Sequence, residues 1–453
     1  MNPKLALAGA GEVSGAIDPL QSWWMPFTHN RRFKTQPRMI ESAAGAYYTL
    51  ANKQRVFDCL SGMWCTPLGH AHPGIVRAVS EQVQRLDYSP GFQLGHQPAF
   101  ELAARITALL GRPADRVFFV NSGSEAVDTA LKIAIGYHRV RGEATRTRVI
   151  GRERGYHGVG LGGLSVGGIG VNRKMFATMM MPGVDHLPHT YSPAHMRFSR
   201  GQPNWGAHLA EDLERLVALH DASTIAAVIV EPVQGSTGVI VPPRGYLERL
   251  REICSKHGIL LIFDEVITGF GRLGKPFASQ YFGVQPDLTT FAKAVTNGVV
   301  PMGGVVTRGD IYDAFMNGPE HVIEFFHGYT YSGHPLAVAA AHASLDAMID
   351  ERLIERAAEL AGVLEETVHT LRDEPHVADI RNLGLAAAVE LEPVAGQPGA
   401  RGQRAFGRGL DEGILLRVSG DIIALAPPFI STADEVRAMI ESLRRTLRAI
   451  AAD

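Results

Sequence analysis

Several apolar runs in the middle of the chain, each typical of a buried strand, end at polar side chains that could do chemistry. In a parallel α/β sheet the carboxyl ends of the strands meet at one edge, where ligands bind, so these side chains are expected to converge. They comprise a serine-rich turn, two acids and a lysine. The runs and their polar ends are residues 117–120 with Ser122, Gly123 and Ser124; residues 226–230 with Glu231; residues 260–263 with Asp264; and residues 288–291 with Lys293.

Each polar end has a chemical interpretation and an ordinary structural one. The Ser122-Gly123-Ser124 turn opens a helical pattern, so its N–H groups and hydroxyls could bind a phosphate, or one serine could simply cap the helix. Asp264 could hold the proton of a pyridine ring nitrogen, or it could cap a loop. Lys293 could be a nucleophilic amine, since burial disfavours its charged form, or a side chain that reaches from a strand end to solvent.

A phosphate site, an acid for a ring nitrogen and a reactive lysine are together what pyridoxal 5′-phosphate (PLP) requires. Here the chain resembles the class III aminotransferases of PLP fold type I, most closely those that transfer amino groups from β-alanine and other ω-amino acids to pyruvate. The most specific match is the run of residues 262–272, and the resemblance covers almost the whole chain. The other matching segments are residues 24–28, 228–234, 327–335 and 417–428.

The resemblance implies a role for each site residue. Lys293 would form a covalent bond to PLP and carry the transferred proton, and Asp264 would keep the ring nitrogen protonated. Tyr156 and Val266 would cover the two faces of the ring. Ser122, Gly123 and Ser124 would bind the phosphate, together with Thr330 of the partner subunit. The further positions are Glu231 and His157, which would support the ring; Arg417, which would bind substrate; and Phe27, Trp64 and Phe92, which would form walls of the substrate pocket unless they are ordinary core aromatics.

Two departures from neighbouring families indicate the substrate class. Ornithine, acetylornithine and GABA aminotransferases typically carry an arginine two residues before the Ala-Pro-Pro turn and a glutamate that masks it, but here these positions are Ala424 and Ser236. Arg417 instead stands where ω-amino acid–pyruvate aminotransferases place the arginine that binds a substrate carboxylate, a task that suits its bidentate fork. The expected reaction is PLP-dependent transfer of an amino group from an ω-amino acid or amine to pyruvate, which yields L-alanine.

Other PLP chemistries remain open at this point. A taurine– or amine–pyruvate aminotransferase would use the same residues with other pocket walls. A PLP decarboxylase or racemase would use the same lysine on a different bond. A non-catalytic PLP-binding regulator would need a fused DNA-binding domain, and no helix-turn-helix region is left over for one.

Arg417 would have to serve substrates with and without a carboxylate. A fixed, buried arginine would face the apolar tail of an amine without a partner, at a cost of several kcal/mol. We therefore expect Arg417 to lie on a mobile loop beside Gly420 and to move in for carboxylates and out for amines. The alternative is a static salt bridge to an acid such as Asp421.

Three further patterns are interpreted as coincidental. Residues 158–163 match a dinucleotide fingerprint and residues 163–167 a nucleophile elbow, but no strand directly precedes them, and residues 162–170 are too rich in glycine to begin a firm helix. His70 and His72 have no third metal ligand at a suitable spacing, so no metal site is predicted.

The composition is that of a soluble globular protein. The 453 residues are 45% apolar and 20% charged, and a net charge of −2 creates no field for a polyanion, so neither nucleic acid nor an anionic membrane is expected as a partner. Three scattered cysteines exclude a disulfide framework and favour a reducing compartment. No apolar run is long enough to span a membrane, and residues 5–10 are too short for the core of a signal peptide, so a cytoplasmic protein is expected.

The expected fold class is α/β: a large PLP-binding domain with a mainly parallel seven-stranded sheet (residues 61–331) and a smaller α+β domain (residues 332–453). Residues 1–60 are expected to pack on the small domain and on the partner subunit of a homodimer with shared active sites, or of a tetramer built from such dimers. Further predicted large-domain strands are residues 149–150 and 303–306. In the small domain the predicted elements are a helical stretch at 336–371, strands at 377–381, 385–391, 414–417 and 422–426, a surface loop at 393–402 and a last helix at 433–449.

Overall fold

Short runs of β-branched and aromatic residues form strands, and they alternate with helices along most of the chain. The computed structural model describes residues 18–452, and this part of the chain contains fifteen strands. They are β1 (Ile40–Ala44), β2 (Tyr47–Leu50), β3 (Arg55–Asp58), β4 (Arg116–Val120), β5 (Arg148–Arg152), β6 (Val184–Leu187), β7 (Ile225–Val230), β8 (Leu260–Asp264), β9 (Leu288–Phe291), β10 (Gly303–Thr307), β11 (Val377–Asn382), β12 (Ala387–Leu391), β13 (Ile414–Leu415), β14 (Arg417–Ser419) and β15 (Ile422–Leu425).

The helices range from single turns to the long helix at the end of the chain. In chain order they are α1 (Pro19–Ser22), α2 (Asn30–Thr35), α3 (Ser61–Trp64), α4 (Pro73–Arg85), α5 (Gln97–Leu109), α6 (Gly123–Val140), α7 (Leu161–Val166), α8 (Gly170–Lys174), α9 (Pro193–Met196), α10 (Asp212–His220), α11 (Tyr246–His257), α12 (Ala278–Phe282), α13 (Gly309–Phe315), α14 (Pro335–Asp350), α15 (Leu353–Val368), α16 (Ala400–Asp411) and α17 (Ala433–Ala452). One of them, α3, is a left-handed turn.

Seven strands form the central sheet, in the order β4-β10-β9-β8-β7-β5-β6. Strands β9, β8, β7, β5 and β6 are parallel, and β10 runs antiparallel to both β4 and β9. This confirms the predicted α/β fold with a mainly parallel seven-stranded sheet. Because β10 is antiparallel to both of its neighbours, β4 runs in the same direction as β9, and the carboxyl ends of β4, β9, β8 and β7 lie at one edge.

Helices cover both faces of this sheet, which explains why its central strands are apolar at every position. Along β7, for example, Ile229 packs in one apolar cluster with residues of α6, whereas Val228 and Val230 pack in another with residues of α10 and α11. Strands β7, β8 and β9 are buried along their whole length. Continuous apolar runs therefore end abruptly at the polar residues that follow them.

Two smaller four-stranded sheets are formed by strands outside the central sheet. Strands β11, β12, β15 and β14 form an antiparallel sheet. Strands β1, β2 and β3 form a second sheet that continues into β13, where Ile414 pairs with Phe57 in parallel register. The N-terminal strands therefore share a sheet with the C-terminal part of the chain. The division of the chain at residues 60 and 331 stays a prediction.

Several predicted elements are wrong in detail. The helical stretch at residues 336–371 is two helices, α14 and α15, separated at Arg352, whose φ is +52°. The strand at residues 414–417 is two strands, because β13 pairs with β3 whereas β14 pairs with β15. The strand at residues 385–391 begins only at Ala387. The loop at residues 393–402 gives way to α16 at Ala400, where the buried positions include small residues such as Gly402 and Ala405 and so carry little apolar signal.

The glycine-rich segment does begin a helix, α7, contrary to the prediction. Its small residues allow its backbone to pack against α6, where the N–H of Gly163 donates to Oδ1 of Asp128 at 2.8 Å. Strand β6 is not predicted from the sequence because two of its four residues, Asp185 and His186, are polar. Residues 5–10 lie outside the described residues. Within residues 18–452, no helix combines the length and apolar character needed to cross a bilayer.

Candidate active site

A cleft of about 610 Å³ lies at the carboxyl ends of β7, β8 and β9. The N-terminus of α6 and the loop between β5 and α7 contribute its other walls. All of the lining residues except Gly158 and Ile267 are predicted site residues. The cleft is lined by Gly123, Ser124, Tyr156, His157, Gly158, Glu231, Asp264, Val266, Ile267 and Lys293.

The N-terminus of α6 forms one end of the cleft. Ser122 caps this helix: its Oγ accepts the N–H of Glu125 at 3.2 Å, and the Glu125 carboxylate accepts the N–H of Asn121 at 2.7 Å. The first N–H groups of a helix have no partner within it and carry the positive end of the helix dipole. The structural and chemical interpretations of this turn are therefore compatible, because capping orients the helix whose N-terminus can bind an anion.

Two glycines allow the backbone to approach closely around this end of the cleft. A Cβ at Gly123 would lie 3.0 Å from Cγ1 of Val266, and a Cβ at Gly158, whose φ is +91°, would lie 2.6 Å from Cα of Ser124. A larger residue at 158 would force α6 away from the segment that carries Tyr156, and one at 123 would press against Val266. The Oγ of Ser124 accepts the N–H of Val159 at 3.1 Å, which fixes this hydroxyl at the edge of the cleft.

Asp264, the last residue of β8, is almost completely buried and is held by three groups. Nδ1 of His157 lies 2.8 Å from Oδ2 of the carboxylate. The Thr290 hydroxyl donates to Oδ1 at 3.1 Å, and the N–H of Val266 donates to the same oxygen at 3.2 Å. This carboxylate is therefore fixed in the wall of the cleft, where it can accept a charge-assisted hydrogen bond from a protonated ring nitrogen.

The adjacent acid, Glu265, has a structural role. Its carboxylate accepts the N–H of Ala278 at 2.5 Å, the N–H of Ser279 at 3.0 Å and the hydroxyl of Thr268 at 3.1 Å. Successive side chains at a strand end point in opposite directions. Asp264 consequently lines the cleft, whereas Glu265 anchors the start of α12.

Glu231 follows β7 directly and is buried beside the same cleft. Its Oε1 accepts the N–H of Tyr156 at 2.8 Å, and its Oε2 accepts the N–H of Gly235 at 3.1 Å. Burial raises the pKa of this carboxyl to about 7; the nearby His157 opposes the shift and Asp264 adds to it. Glu231 therefore ties the backbone of Tyr156 to the end of β7.

Tyr156 and Arg417 lie close enough to influence each other's ionisation. Burial raises the pKa of the Tyr156 phenol, and Asp264 adds to this shift while Arg417 opposes it. Desolvation lowers the pKa of the Arg417 guanidinium, and Tyr156 opposes that shift. Arg417 lies on β14 rather than on an irregular loop, near Tyr156 but not among the residues that line the cleft.

Arg417 makes no ion pair within residues 18–452. Asp421, the alternative partner, instead accepts the N–H groups of Gly399 at 2.6 Å and Gly402 at 3.0 Å. In the β14–β15 hairpin Arg417 is the cross-strand partner of Ala424, the position where ornithine- and GABA-type enzymes carry their arginine. Directly paired residues project from the same face of an antiparallel sheet, so both positions serve one side of it.

Lys293 lies two residues after β9 and begins a short 3-10 turn, Lys293–Thr296. Its φ of +48° lies in the left-handed region, a strained conformation that folds retain mainly at functional sites. The side chain is half-buried and lines the cleft. It also approaches Cys65: burial raises the pKa of that thiol, and the positive charge of Lys293 opposes the shift.

Trp64 is buried in an apolar cluster that borders the cleft. The cluster includes Val233 and Ala424, and Ile267 packs against it from the wall of the cleft. The indole is therefore close to the position expected for a pocket wall, although it is not among the residues that line the cleft in one chain.

Phe27, Phe92 and Thr330 are not brought to the cleft of their own chain. Phe27 is 71% exposed and Phe92 is 57% exposed, and Thr330 is exposed as well. Phe92 lines a separate groove with Gly328, and the Tyr88 hydroxyl donates to the Thr330 carbonyl at 3.1 Å on the same surface. The structure of one chain therefore leaves the predicted roles of Phe27, Phe92 and Thr330 as predictions.

Thr290, Gly158 and Ile267 belong to the site but are not predicted from the sequence. Thr290 lies inside the buried run of β9. Its hydroxyl could have been noticed, because buried polar groups require partners and the neighbouring strand ends in a polar residue. Gly158 is noticed only as part of a glycine pattern. Ile267 lies within the matched run of residues 262–272.

The histidine pattern has a structural role. His70 Nε2 lies 2.9 Å from Asp58, and His72 Nε2 lies 2.9 Å from Glu351. Across the described part of the chain, no group of three His, Cys, Asp or Glu side chains is arranged to hold a metal ion.

The groups in the cleft fit PLP. The helix N-terminus at Gly123 offers an anion site, and the glycine at 158 leaves room for it. Asp264 is a buried carboxylate held ready for a cationic ring nitrogen, Lys293 is a lysine that lines the same cleft, and Val266 offers an apolar contact for a ring.

Comparisons with known proteins agree with this assignment. A family model described as Aminotransferase class-III matches residues 28–447. An omega-aminotransferase of Caulobacter vibrioides is 57% identical over 96% of this chain and 98% of its own length. A beta-alanine–pyruvate aminotransferase of Pseudomonas aeruginosa is 49% identical over 98% of each chain, and an omega-amino acid–pyruvate aminotransferase of Pseudomonas putida is 46% identical over 94% of this chain and 96% of its own length.

Solved structures give the same result for the fold. The omega transaminase of Pseudomonas jessenii in complex with PMP superposes with a TM-score of 0.90 at 32% identity, covering 96% of this chain and 97% of that one. An (S)-enantioselective omega-transaminase from Thermomicrobium roseum superposes with a TM-score of 0.89 at 34% identity, covering 95% and 97%.

The buried Glu231 carboxyl should make stability depend on pH. Its ordinary pKa of 4.5 applies in the unfolded chain, whereas burial raises it to about 7 in the folded chain, so folding takes up a proton between these values. Relative to a Glu231→Gln variant, the free energy of unfolding should be highest below pH 4.5 and should fall by up to about 3 kcal/mol as the pH rises through 7. Urea unfolding of both cofactor-free proteins across this range measures the effect. A difference that does not vary with pH would contradict it.

Proposed function

The chain belongs to the class III aminotransferase family, and we propose that it transfers the amino group of an ω-amino acid or amine, such as β-alanine, to pyruvate. The donor becomes an aldehyde or ketone, and pyruvate becomes L-alanine. The observation that carries this proposal is the convergence of Lys293, Asp264 and the N-terminus of α6 in one cleft. PLP, the cofactor of this family, carries the amino group between the substrates and draws electrons from the reacting carbon when bound.

The residues of the cleft have separate tasks in this reaction. Lys293 supplies the amine that holds the cofactor and moves a proton at the reacting carbon. Asp264 keeps the ring nitrogen protonated through its negative charge, while His157 and Thr290 hold its carboxylate in place. The N-terminus of α6 binds the phosphate. Glu231 keeps the backbone of the ring-covering Tyr156 in position.

The substrate side supports a donor with a distant carboxylate or none. Arg417 lies beside Tyr156, forms no ion pair with residues 18–452, and can bind a substrate carboxylate through its guanidinium. Ala424, opposite it, is buried in the apolar cluster with Trp64 and adds no second cation. Two relatives act, by name, on β-alanine or ω-amino acids together with pyruvate.

A panel of amine donors tested with pyruvate examines the proposed function directly. Alanine formation with β-alanine and other ω-amino acids is the expected result. Strong preference for taurine or arylalkylamines would instead indicate a taurine– or amine–pyruvate aminotransferase. Release of carbon dioxide without alanine would indicate a decarboxylase, and loss of optical activity in the donor without alanine would indicate a racemase.

We also propose a homodimer whose subunits complete each other's active sites, alone or paired into a tetramer. The support is the set of exposed aromatic residues, since a single chain leaves Trp24, Phe27, Phe92 and Phe326 uncovered. Obligate dimers bury about 2,000–5,000 Å² of largely apolar surface, which is enough to cover such residues. Thr330 of one subunit would then reach the phosphate site of the other.

We also propose a cytoplasmic location and a division of the chain into three parts. The free thiols of Cys59, Cys65 and Cys254 suit a reducing compartment. The pairing of β3 with β13 supports a segment of residues 1–60 that packs on the small domain of residues 332–453, with the PLP-binding domain at residues 61–331 between them.

Borohydride reduction should attach a pyridoxyl label to Lys293. Lys293→Ala should still bind PLP noncovalently, because the phosphate site and Asp264 remain, but alanine formation should fall by about 10³-fold or more. Peptide mapping of the reduced wild-type protein locates the label. The exposed Lys275 is the matched control, and Lys275→Ala should keep both label and activity. A label on any other lysine would contradict the assignment.

Arg417→Ala should weaken carboxylate binding selectively. The KM values for pyruvate and β-alanine should rise by about 10- to 100-fold, since a charge-assisted pair is lost, whereas the half-reaction with an amine that has a neutral tail should change little. Arg437→Ala removes an exposed arginine of α17 and serves as the control. Equal losses in all half-reactions would show that Arg417 is structural rather than a switch between carboxylate and amine substrates.

Mixed dimers should test the shared site. Lys293→Ala and Thr330→Glu homodimers should each have little activity, the second because the added charge repels a phosphate. In a dimer with one subunit of each kind, one site combines an intact Lys293 with an intact Thr330 of the partner subunit. Random mixing should therefore restore about one quarter of wild-type activity. No recovery would place Thr330 at the site of its own chain.

A further inference from the structure

The α3 turn, Ser61–Trp64, carries backbone strain beside the active site. Ser61, Gly62, Met63 and Trp64 have φ values of 46°, 54°, 64° and 71°, so four successive residues, three of them with side chains, lie in the left-handed region. L-residues adopt such a run only where the surroundings impose it. The groups that hold this turn therefore determine where Trp64 and the following Cys65 lie.

Asp58 and Ala426 hold the beginning of the turn. The Asp58 carboxylate accepts the N–H of Leu60 at 3.1 Å and the N–H of Gly62 at 2.5 Å. The Ser61 hydroxyl donates to the carbonyl oxygen of Ala426 at 2.6 Å. These bonds fix the entry of the chain into the turn but do not contact the Trp64 side chain.

Arg272 holds the other side. Its Nη2 donates to Oγ of Ser61 at 3.1 Å, and its Nη1 donates to the carbonyl oxygens of Leu385 at 3.2 Å and Pro427 at 2.9 Å. The guanidinium carbon lies 5.6 Å from the ring centroid of Trp64 and 4.6 Å from that of Phe429.

The environment of this guanidinium is unusual for a cation. Arg272 is almost completely buried, and within residues 18–452 it makes no direct ion pair. Burial lowers its pKa to about 9, an effect that Asp58 opposes, so the side chain remains charged at neutral pH. A planar guanidinium can donate in its plane while its faces contact aromatic rings, whereas a lysine ammonium cannot do both. The site is thus built for arginine.

The turn is also joined to the loop that follows Lys293. A Cβ at Gly298 would lie 3.1 Å from the Cβ of Cys65. Oδ1 of Asn297 accepts the N–H of Leu68 at 2.9 Å, and Nδ2 of Asn297 donates to the Gly69 carbonyl at 2.7 Å. A shift of the turn would therefore also displace the loop that follows Lys293, next to the cleft.

We propose that Arg272 is a positioning residue whose guanidinium fixes the strained Ser61–Trp64 turn, so that the Trp64 indole limits the size of the amine donor. The part that concerns donors rests on the function proposed above. The part that concerns the turn is independent of catalysis, and each part has its own measurement.

Cys65 reports the position of the turn. Cys59 and Cys254 are fully buried, whereas Cys65 is partly accessible, so alkylation of the cofactor-loaded protein followed by mass spectrometry monitors this one site. Arg272→Lys keeps the charge but loses the planar contacts, and Ser61→Ala removes the hydroxyl that Arg272 contacts together with its bond to the Ala426 carbonyl. Cys65 should react about 5- to 10-fold faster in each variant, the factor by which loss of one ordinary hydrogen bond favours local opening.

Thr446→Val is the matched control. It removes an equally buried hydroxyl, which donates to the Ser442 carbonyl at 2.9 Å within α17, and should leave the Cys65 rate unchanged. If Arg272→Lys also exposes Cys59 and Cys254, its fold is damaged and Ser61→Ala alone decides. A wild-type rate in Ser61→Ala, or the same acceleration in Thr446→Val, would overturn the proposal.

Donor selectivity tests the second part. With pyruvate as acceptor, the ratio of kcat/KM for a bulky arylalkylamine to that for β-alanine should rise about threefold or more in both variants, through a lower KM for the bulky donor, while kcat for β-alanine changes little. A uniform fall of kcat for both donors would show a merely structural role. If the wild-type protein forms no alanine from any donor, the proposed function fails, but the alkylation rates still decide the role of Arg272.

Discussion

Two carboxyl groups buried beside one cleft impose the constraint on which the rest of the active site depends. Asp264 and Glu231 end neighbouring strands, and a buried negative charge is costly unless it is hydrogen-bonded or neutralised. The chain treats them differently. Glu231 is bonded to two backbone N–H groups and its pKa is raised to about 7, whereas Asp264 is bonded to His157 and Thr290. The arrangement gives the cleft a fixed acceptor that suits a cationic ring.

The substrate side is organised by the two ends of the chain rather than by the central sheet. Arg417 and Ala424 come from the C-terminal hairpin, and Trp64 follows strand β3, which pairs with β13. Arg272 joins these parts, because it extends from the segment after Asp264 to carbonyls near both. The cofactor side is therefore held by a rigid parallel sheet, and the substrate side by contacts between distant segments. Differences in donor preference among related enzymes are therefore expected to arise from residues on the substrate side.

The sequence predicts those site residues whose position is indicated by their immediate neighbours in the chain, and it does not predict those that distant segments bring to the site. Asp264, Glu231 and Lys293 are predictable because each lies within two residues of the end of a buried run, and the α/β fold follows from the same runs. Thr290 is hidden inside such a run. The left-handed turn at Ser61–Trp64 has no local signature apart from Gly62, since distant groups such as Arg272 impose it. Phe27, Phe92 and Thr330 are connected to the site only through the family resemblance, because a single chain does not bring them there.

The cross-strand pairing of Arg417 with Ala424 has a consequence for how donor classes diverge. An arginine at either position projects from the same side of one hairpin, so two substitutions would move the cation from one strand to its neighbour in the same sheet. An intermediate with both arginines would place a second cation in the apolar cluster that contains Ala424 and Trp64, at the cost of burying it there, whereas an intermediate with neither would leave that face apolar. The order of the two substitutions therefore matters, because loss of the first arginine before gain of the second avoids two adjacent cations, while the residues that hold the cofactor stay unchanged.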